Sequence, residues 1–263
     1  MIEHQFEPMT VGMVLDKSFR LYSENFPLML GITAILNLPV LLLSFVPLFF
    51  QIGQPGLILS LLLALFTIVL GLVTVLVIYP LVSGATTKAV SDKYLGNPVT
   101  IGSALKEAWG CVGTLLLTQW VAGIIVAVGF LLLIVPGVLW MLSYTLIAPV
   151  VMIERIADRG EIRRRSWDLV SGNRGKVFVI ILVLTVLPLI ISAGINSVTS
   201  LGFAANSQIL KSVQSIISQC IGILISPLQT SAITLLYFDF RIRKEGFDLE
   251  MLSQAMGTPR VDA

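Results

Sequence analysis

The chain has 263 residues, 56% of them hydrophobic and 12% charged, with a formal net charge of +2 and a mean hydropathy of +0.94. Soluble domains carry roughly 25% charged residues, so an exterior this apolar excludes most water-soluble folds and makes the bilayer its solvent. A near-neutral charge points away from nucleic acid, and two cysteines cannot build a disulfide framework or a four-thiolate zinc site.

Crossing about 30 Å of hydrocarbon takes roughly 20 apolar residues, and six such runs are predicted, in three pairs. Leu28–Phe50 and Leu57–Thr87 flank the uncharged turn Gln51-Ile-Gly-Gln-Pro-Gly56. A polar segment precedes the first of these runs, which is long enough to stay in the membrane, so no cleavable signal peptide is expected. Val112–Val135 and Gly137–Ile153 form one long apolar stretch, divided only at Pro136-Gly137. The third pair runs from Val177 to about Thr199 and from about Ile209 to Phe240. Residues 57–87 and 209–240 exceed one crossing, so these helices are expected to tilt, to kink at Pro80 and Pro227, or to project into water.

Basic residues are sorted between the loops. Lys17, Arg20, Lys88, Lys93, Lys106, Arg155, Arg159, Arg163, Arg164, Arg165, Arg174, Lys176, Arg241, Arg243, Lys244 and Arg260 fall in the N-terminal segment, the two loops between pairs and the C-terminal tail; Lys211 alone lies elsewhere. Because Lys and Arg are retained in the cytoplasm during insertion, both termini are expected there, in the cell membrane, with three hairpins pointing outward. The carboxylates occupy the same segments, and none is expected deep in a span.

A short pattern recurs before each pair. Pro8, Thr10, Gly12, Leu15, Ser18 and Phe19 have the same spacing as Pro98, Thr100, Gly102, Leu105, Ala108 and Trp109, and Asp158, Gly160, Ser166 and Trp167 form a weaker third copy. Each copy reads as an amphipathic interfacial helix capped by Thr or Asp and anchored at the interface by Phe19, Trp109 or Trp167. Pro80, Ala85, Thr87 and Asp92 also match the offsets of Pro227, Ala232, Thr234 and Asp239. The expected fold is therefore an all-α integral membrane protein. It is a single membrane domain of six transmembrane helices in three hairpins, each preceded by a cytoplasmic amphipathic helix, with repeats over 8–97, 98–157 and 158–250 and a flexible tail over 251–263.

Four stretches carry a resemblance: Thr10-Val-Gly12 through Asn25-Phe26, Ile134-Val-Pro136-Gly137, Arg164-Arg165-Ser166-Trp167-Asp168-Leu169-Val170-Ser171-Gly172, and Leu236 to Glu250. Over nearly its whole length the chain resembles the membrane domain of certain bacterial glycerophosphodiester phosphodiesterases and the stand-alone prokaryotic multi-pass proteins related to it. In the fused enzymes that resemblance implies a separate soluble barrel with a histidine pair and acidic metal ligands. This chain has no room for such a barrel, and its one histidine is His4, so no catalytic residue, cofactor or metal site is expected.

Within the spans the polar groups are neutral: Asn37, Gln119, Asn196, Gln214, Gln219 and Gln229. They read either as helix-to-helix hydrogen bonds or as the polar lining of a path; Asn37, Gln119, Asn196 and Gln219 are the candidate lining. Ser218, Gly222, Ser226, Thr230 and Thr234 recur every four residues, the spacing of a close helix contact and, as the alternative, of the lining of a path. Arg155, Arg159, Arg163, Arg164 and Arg165 form a candidate surface for anionic lipid headgroups or a protein partner. Cys111 and Cys220 are expected to be free thiols. The first functional expectation is a non-catalytic module that binds membrane lipid or a membrane or cytoplasmic protein through this basic face. The alternative is a permease-like or lipid-translocating protein without ionisable groups in its spans.

Overall fold

The structure is a computed structural model that describes residues 8–43, 56–202 and 208–246. Among these residues it is all helix and turn. In chain order the helices are α1 (Val11–Glu24), α2 (Phe26–Leu43), α3 (Leu57–Tyr94), α4 (Ile101–Gly110), α5 (Val112–Leu132), α6 (Ile134–Glu154), α7 (Arg159–Val170), α8 (Arg174–Gly202) and α9 (Gln208–Glu245). Five of them are long and apolar enough to cross a membrane, and a sixth span results if α1 and α2, bent by 83°, count as one. The second half of the first expected span and the turn after it lie outside the described residues.

The short helices start where side chains can serve their first amides. Thr10 Oγ1 accepts from the Met13 N–H, Thr100 and Ser103 form a reciprocal capping box, and Asp158 accepts from the Gly160 N–H. Four and eight residues after each cap the chain is buried: Val14 and Ser18, Ala104 and Ala108, Ile162 and Ser166. That spacing puts both positions on one stripe of the helix. The α1 helix does not stand away from the bundle. Its leading Met9 sits on Asp239, and its Tyr22 hydroxyl donates to the Leu224 carbonyl at 2.7 Å, so it runs beside α9.

Helix α9 is the hub, packing against α1, α2, α3, α7 and α8. At 1.5 Å per residue its 38 residues, like the 38 of α3, measure about 57 Å. The excess over a bilayer lies at the charged end. There Leu81, Ala85 and Ala89 of α3 pack with Leu235, Leu236, Tyr237, Phe238 and Phe240 of α9 in a dense core, joined by Leu146, Val150 and Val151 of α6. At the hairpin end Leu57–Val73 buries no residue at all. The molecule thus has one end packed like a soluble protein and another whose apolar surface is left to the lipid.

Prolines enter the spans without breaking them, since α3 and α9 run unbroken past Pro80 and Pro227. A proline removes the amide that its i−4 carbonyl needs, and in two helices a side chain from a neighbour takes that carbonyl. Trp120 Nε1 donates to Leu76 O (before Pro80) at 2.8 Å and Gln229 Nε2 to Leu184 O (before Pro188) at 2.9 Å. A π-helical turn at Thr74–Ile78 opens α3 just ahead of Pro80 and gives its ring room. Substituting Trp120 by Phe is expected to cost about 1–3 kcal/mol in detergent unfolding, because Leu76 O is then left unpaired; a cost near zero would show that water or lipid serves it.

The α5–α6 turn corrects the expected division at Pro136-Gly137. The break is the single extended residue Leu133 (φ −161°, ψ 149°), and Pro136 lies in the first turn of α6, where its missing amide matters least. Gly137 instead allows close approach: a Cβ there would stand 2.5 Å from the Phe130 ring and 2.8 Å from its backbone nitrogen, and one on Gly129 would stand 2.6 Å from Trp140. Gly137→Ala is expected to lower stability by about 1–3 kcal/mol through overpacking, read as a lower melting temperature in detergent.

Candidate functional site

Two hollows lie between the helices, just beyond the packed end. Cavity A, about 550 Å³ and open on one side, is bordered by α3, α5, α6 and α9, with Ser83, Thr87, Gln119, Tyr144, Thr145 and Thr230 among its walls. Cavity B, about 430 Å³, lies between α2, α3 and α9 and is lined by Asn37, Ser215, Ser218 and Gln219. Both touch Tyr79, Val82, Ser226 and Gln229, so the two adjoin along that wall. Each falls in the size range of small-molecule sites. Among the described residues, no Lys, Arg, Asp, Glu or His lines either one.

The candidate polar lining is divided by this geometry. Gln119 lines cavity A, where its Nε2 donates to Ser83 Oγ at 3.0 Å. Asn37, 8% exposed, lines cavity B and donates from Nδ2 to Thr33 O at 2.7 Å. Gln219 also lines cavity B, and its Oε1 is buried with no hydrogen-bond partner. Asn196 belongs to α8, and its side chain lies outside the described residues. Sequence reasoning missed Thr87, which lines cavity A and whose buried Oγ1 has no partner; its signal was the polar residue two turns below a mid-helix proline.

The four-residue stripe is corrected. Ser218, Gly222 and Ser226 line cavity B instead of a helix contact, and a Cβ on Gly222 would meet nothing within 4 Å. The spacing was that of a close approach, but the partner helix stands off. Thr234, at the far end of the stripe, is buried in the packed core.

At the charged end the arginines separate. Arg165 is committed internally: Nε donates to Glu154 Oε1 and Oε2 at 3.1 and 2.9 Å, and Nη1 pairs with Glu245. Burial alone would lower its pKa, yet the hydrogen bonds and charges of Glu245 and Glu154 outweigh it and hold the guanidinium above its usual range. Glu154 also accepts from the Tyr237 hydroxyl at 2.9 Å. Arg155 holds a left-handed backbone (φ 53°) and pairs with Glu107 at 2.8 Å, and Glu107 in turn meets Lys88. Arg164, its side chain 84% exposed, has a loose contact of 3.7 Å with Asp168. Arg159 is exposed and Arg163 half-buried. The five arginines are therefore not equivalent: Arg159 and Arg164 are exposed, Arg163 is half-buried, Arg155 is paired with Glu107 although its side chain is 66% exposed, and Arg165 ties elements together.

The anchors divide too. Phe19 and Trp109 are 62% and 64% exposed at matching positions of α1 and α4. Trp167 is half covered, stacked near Tyr144 (ring centroids 6.1 Å apart) and under the Arg174 guanidinium at 4.7 Å, because its helix is wedged between α5, α6 and α9. Cys111 and Cys220 are free. Among the described residues no group of His, Cys, Asp and Glu is placed to hold a metal ion.

Compared with known protein families, curated proteins and solved structures, the chain matches none.

Proposed function

We propose that this is a non-catalytic membrane protein of the permease-like or lipid-translocating kind, which admits an uncharged solute or lipid between its helices. The observation that supports it is the pair of adjoining cavities, walled by neutral hydrogen-bonding side chains in the membrane half of the bundle. In an apolar solvent such side chains gain by facing one another or an occupant, and a hollow between them favours the occupant. The dense core at the charged end closes the cavities on that side, so the reading includes an opening of that end during any transfer.

The architecture proposed with it is a unit of capped helix, outward span and returning span used three times, with Thr10, Thr100 and Asp158 opening each copy. Both termini are placed in the cytoplasm of a cell whose membrane the chain crosses several times. The resemblance to the membrane domain of glycerophosphodiester phosphodiesterases belongs to the same proposal, as does the contact of Arg159, Arg163 and Arg164 with anionic lipid, to which each exposed cation adds about 1 kcal/mol near the surface.

Filling the cavities tests the reading. Gly123 and Gly222 line cavities A and B and have open space where a side chain would go, so Gly123→Phe and Gly222→Phe are expected to fold normally. In gentle detergent, native mass spectrometry is expected to find a lipid or solute retained by the parent protein and lost from these variants. Equal retention by all three would exclude the cavities as the site.

A further inference from the structure

We infer that cavity B is a headgroup site for an uncharged, hydroxyl-bearing lipid, with Gln219 as the acceptor that reads the hydroxyl. The inference rests on the cavity reading above and goes further by naming the ligand's chemistry. Gln219 lines a hollow of about 430 Å³, and its Oε1, closed off from solvent, has no hydrogen-bond partner. A carbonyl oxygen buried without a donor is costly, so the group that completes this site is a donor. Ser215 and Ser218, on the same helix face, bring hydroxyls that both give and accept. This pattern complements a polyol or sugar hydroxyl.

Charge is selected against. A phosphate or ammonium in cavity B would find no opposite charge among the described residues of its walls, and an uncompensated charge away from water is far more expensive than an unpaired amide. The same walls suit a lipid better than a water-soluble polyol. Tyr79 is 56% exposed, and beyond the buried Thr74 α3 leaves the packed bundle: Leu57–Val73 buries no residue, so the helix that borders the cavity continues into bare apolar surface along which acyl chains fit. The headgroup would enter sideways from the bilayer, its hydroxyl on Gln219 and its chains on Leu65, Val69 and Leu72.

The test uses the full chain in phosphatidylcholine nanodiscs with two photo-crosslinking probes that share dioleoyl chains: a dioleoylglycerol and its phosphate-bearing counterpart, dioleoyl phosphatidic acid. The dioleoylglycerol probe is expected to label peptides of α2, α3 and α9 at least about fivefold more than the phosphate probe. Gln219→Leu, of similar shape, is expected to cut that labelling by about fivefold to tenfold, as the loss of one buried hydrogen bond allows. Ser215→Ala with Ser218→Ala provides a second variant that removes only hydroxyls and is expected to weaken labelling by a smaller factor at unchanged melting temperature. Equal labelling by both probes, or labelling that neither variant changes, overturns the headgroup assignment while leaving the cavity reading standing. Absence of labelling by either probe overturns both.

Discussion

Replacing Asp239 by alanine is expected to destabilise the protein by about 3–5 kcal/mol and to release its N-terminal segment to protease. The carboxylate is fully buried and accepts from three donors: the Met9 N–H at 2.6 Å, Lys176 Nζ at 2.5 Å and Arg243 Nε at 3.0 Å. Both cations also donate to the Met9 carbonyl, at 2.6 and 2.7 Å. One acid thus closes the chain on itself, holding the residue that leads into α1 against α8 and α9 across 230 positions of sequence. Without it, two cations face each other around an unpaired amide, and desolvation is no longer offset. Lys176→Met is expected to cost less, because Arg243 and the Met9 amide still hold the carboxylate. Denaturant unfolding in detergent gives the energies, and limited proteolysis gives the release. If Asp239→Ala loses under 1 kcal/mol with the N-terminus still protected, the cluster is not what fastens α1.

What could be read from the residues was set by local chemistry. The apolar runs marked the spans because hydrocarbon demands length, and the caps at Thr10, Thr100 and Asp158 marked helix starts because a side-chain oxygen reaches only its own first turn. What could not be read depended on a partner. Pro136-Gly137 announced a break, but nothing local placed it three residues earlier, at Leu133. Trp120 and Gln229 each serve a carbonyl freed by a proline on another helix, and no local pattern marks that pairing. The stripe from Ser218 to Ser226 had the spacing of a contact, and only the distance to the facing helices turned it into a cavity wall. The arginine run misled for a geometric reason. Consecutive residues of a helix point about 100° apart, so Arg163, Arg164 and Arg165 were never able to share one surface.

That separation gives the second large effect. Arg165→Met is expected to cost about 2–3 kcal/mol, less than a fully buried pair because its side chain is 28% exposed, but well above a surface ion pair. Its loss strands Glu154 and Glu245, whose side chains are only 14% and 26% exposed, at the junction of α6, α7 and α9. Arg164→Met, with its partner 3.7 Å away and its side chain 84% exposed, is expected to change stability by less than about 0.5 kcal/mol. Lipid association reverses the order. Gln at 159, 163 and 164 is expected to weaken binding to anionic vesicles, as the removal of exposed cations should, while Arg165→Gln leaves that binding unchanged at concentrations where it remains folded. Unfolding and vesicle sedimentation on the same variants read the two roles independently. If Arg165→Gln weakened vesicle binding as much as the triple variant, the basic residues would be acting as one surface, and the division between fastening and contacting arginines would be wrong. If instead Arg165→Met costs under 1 kcal/mol, Glu154 is held by the Tyr237 hydroxyl, which donates to it at 2.9 Å, and the double variant with Tyr237→Phe should then lose more than the two single variants together.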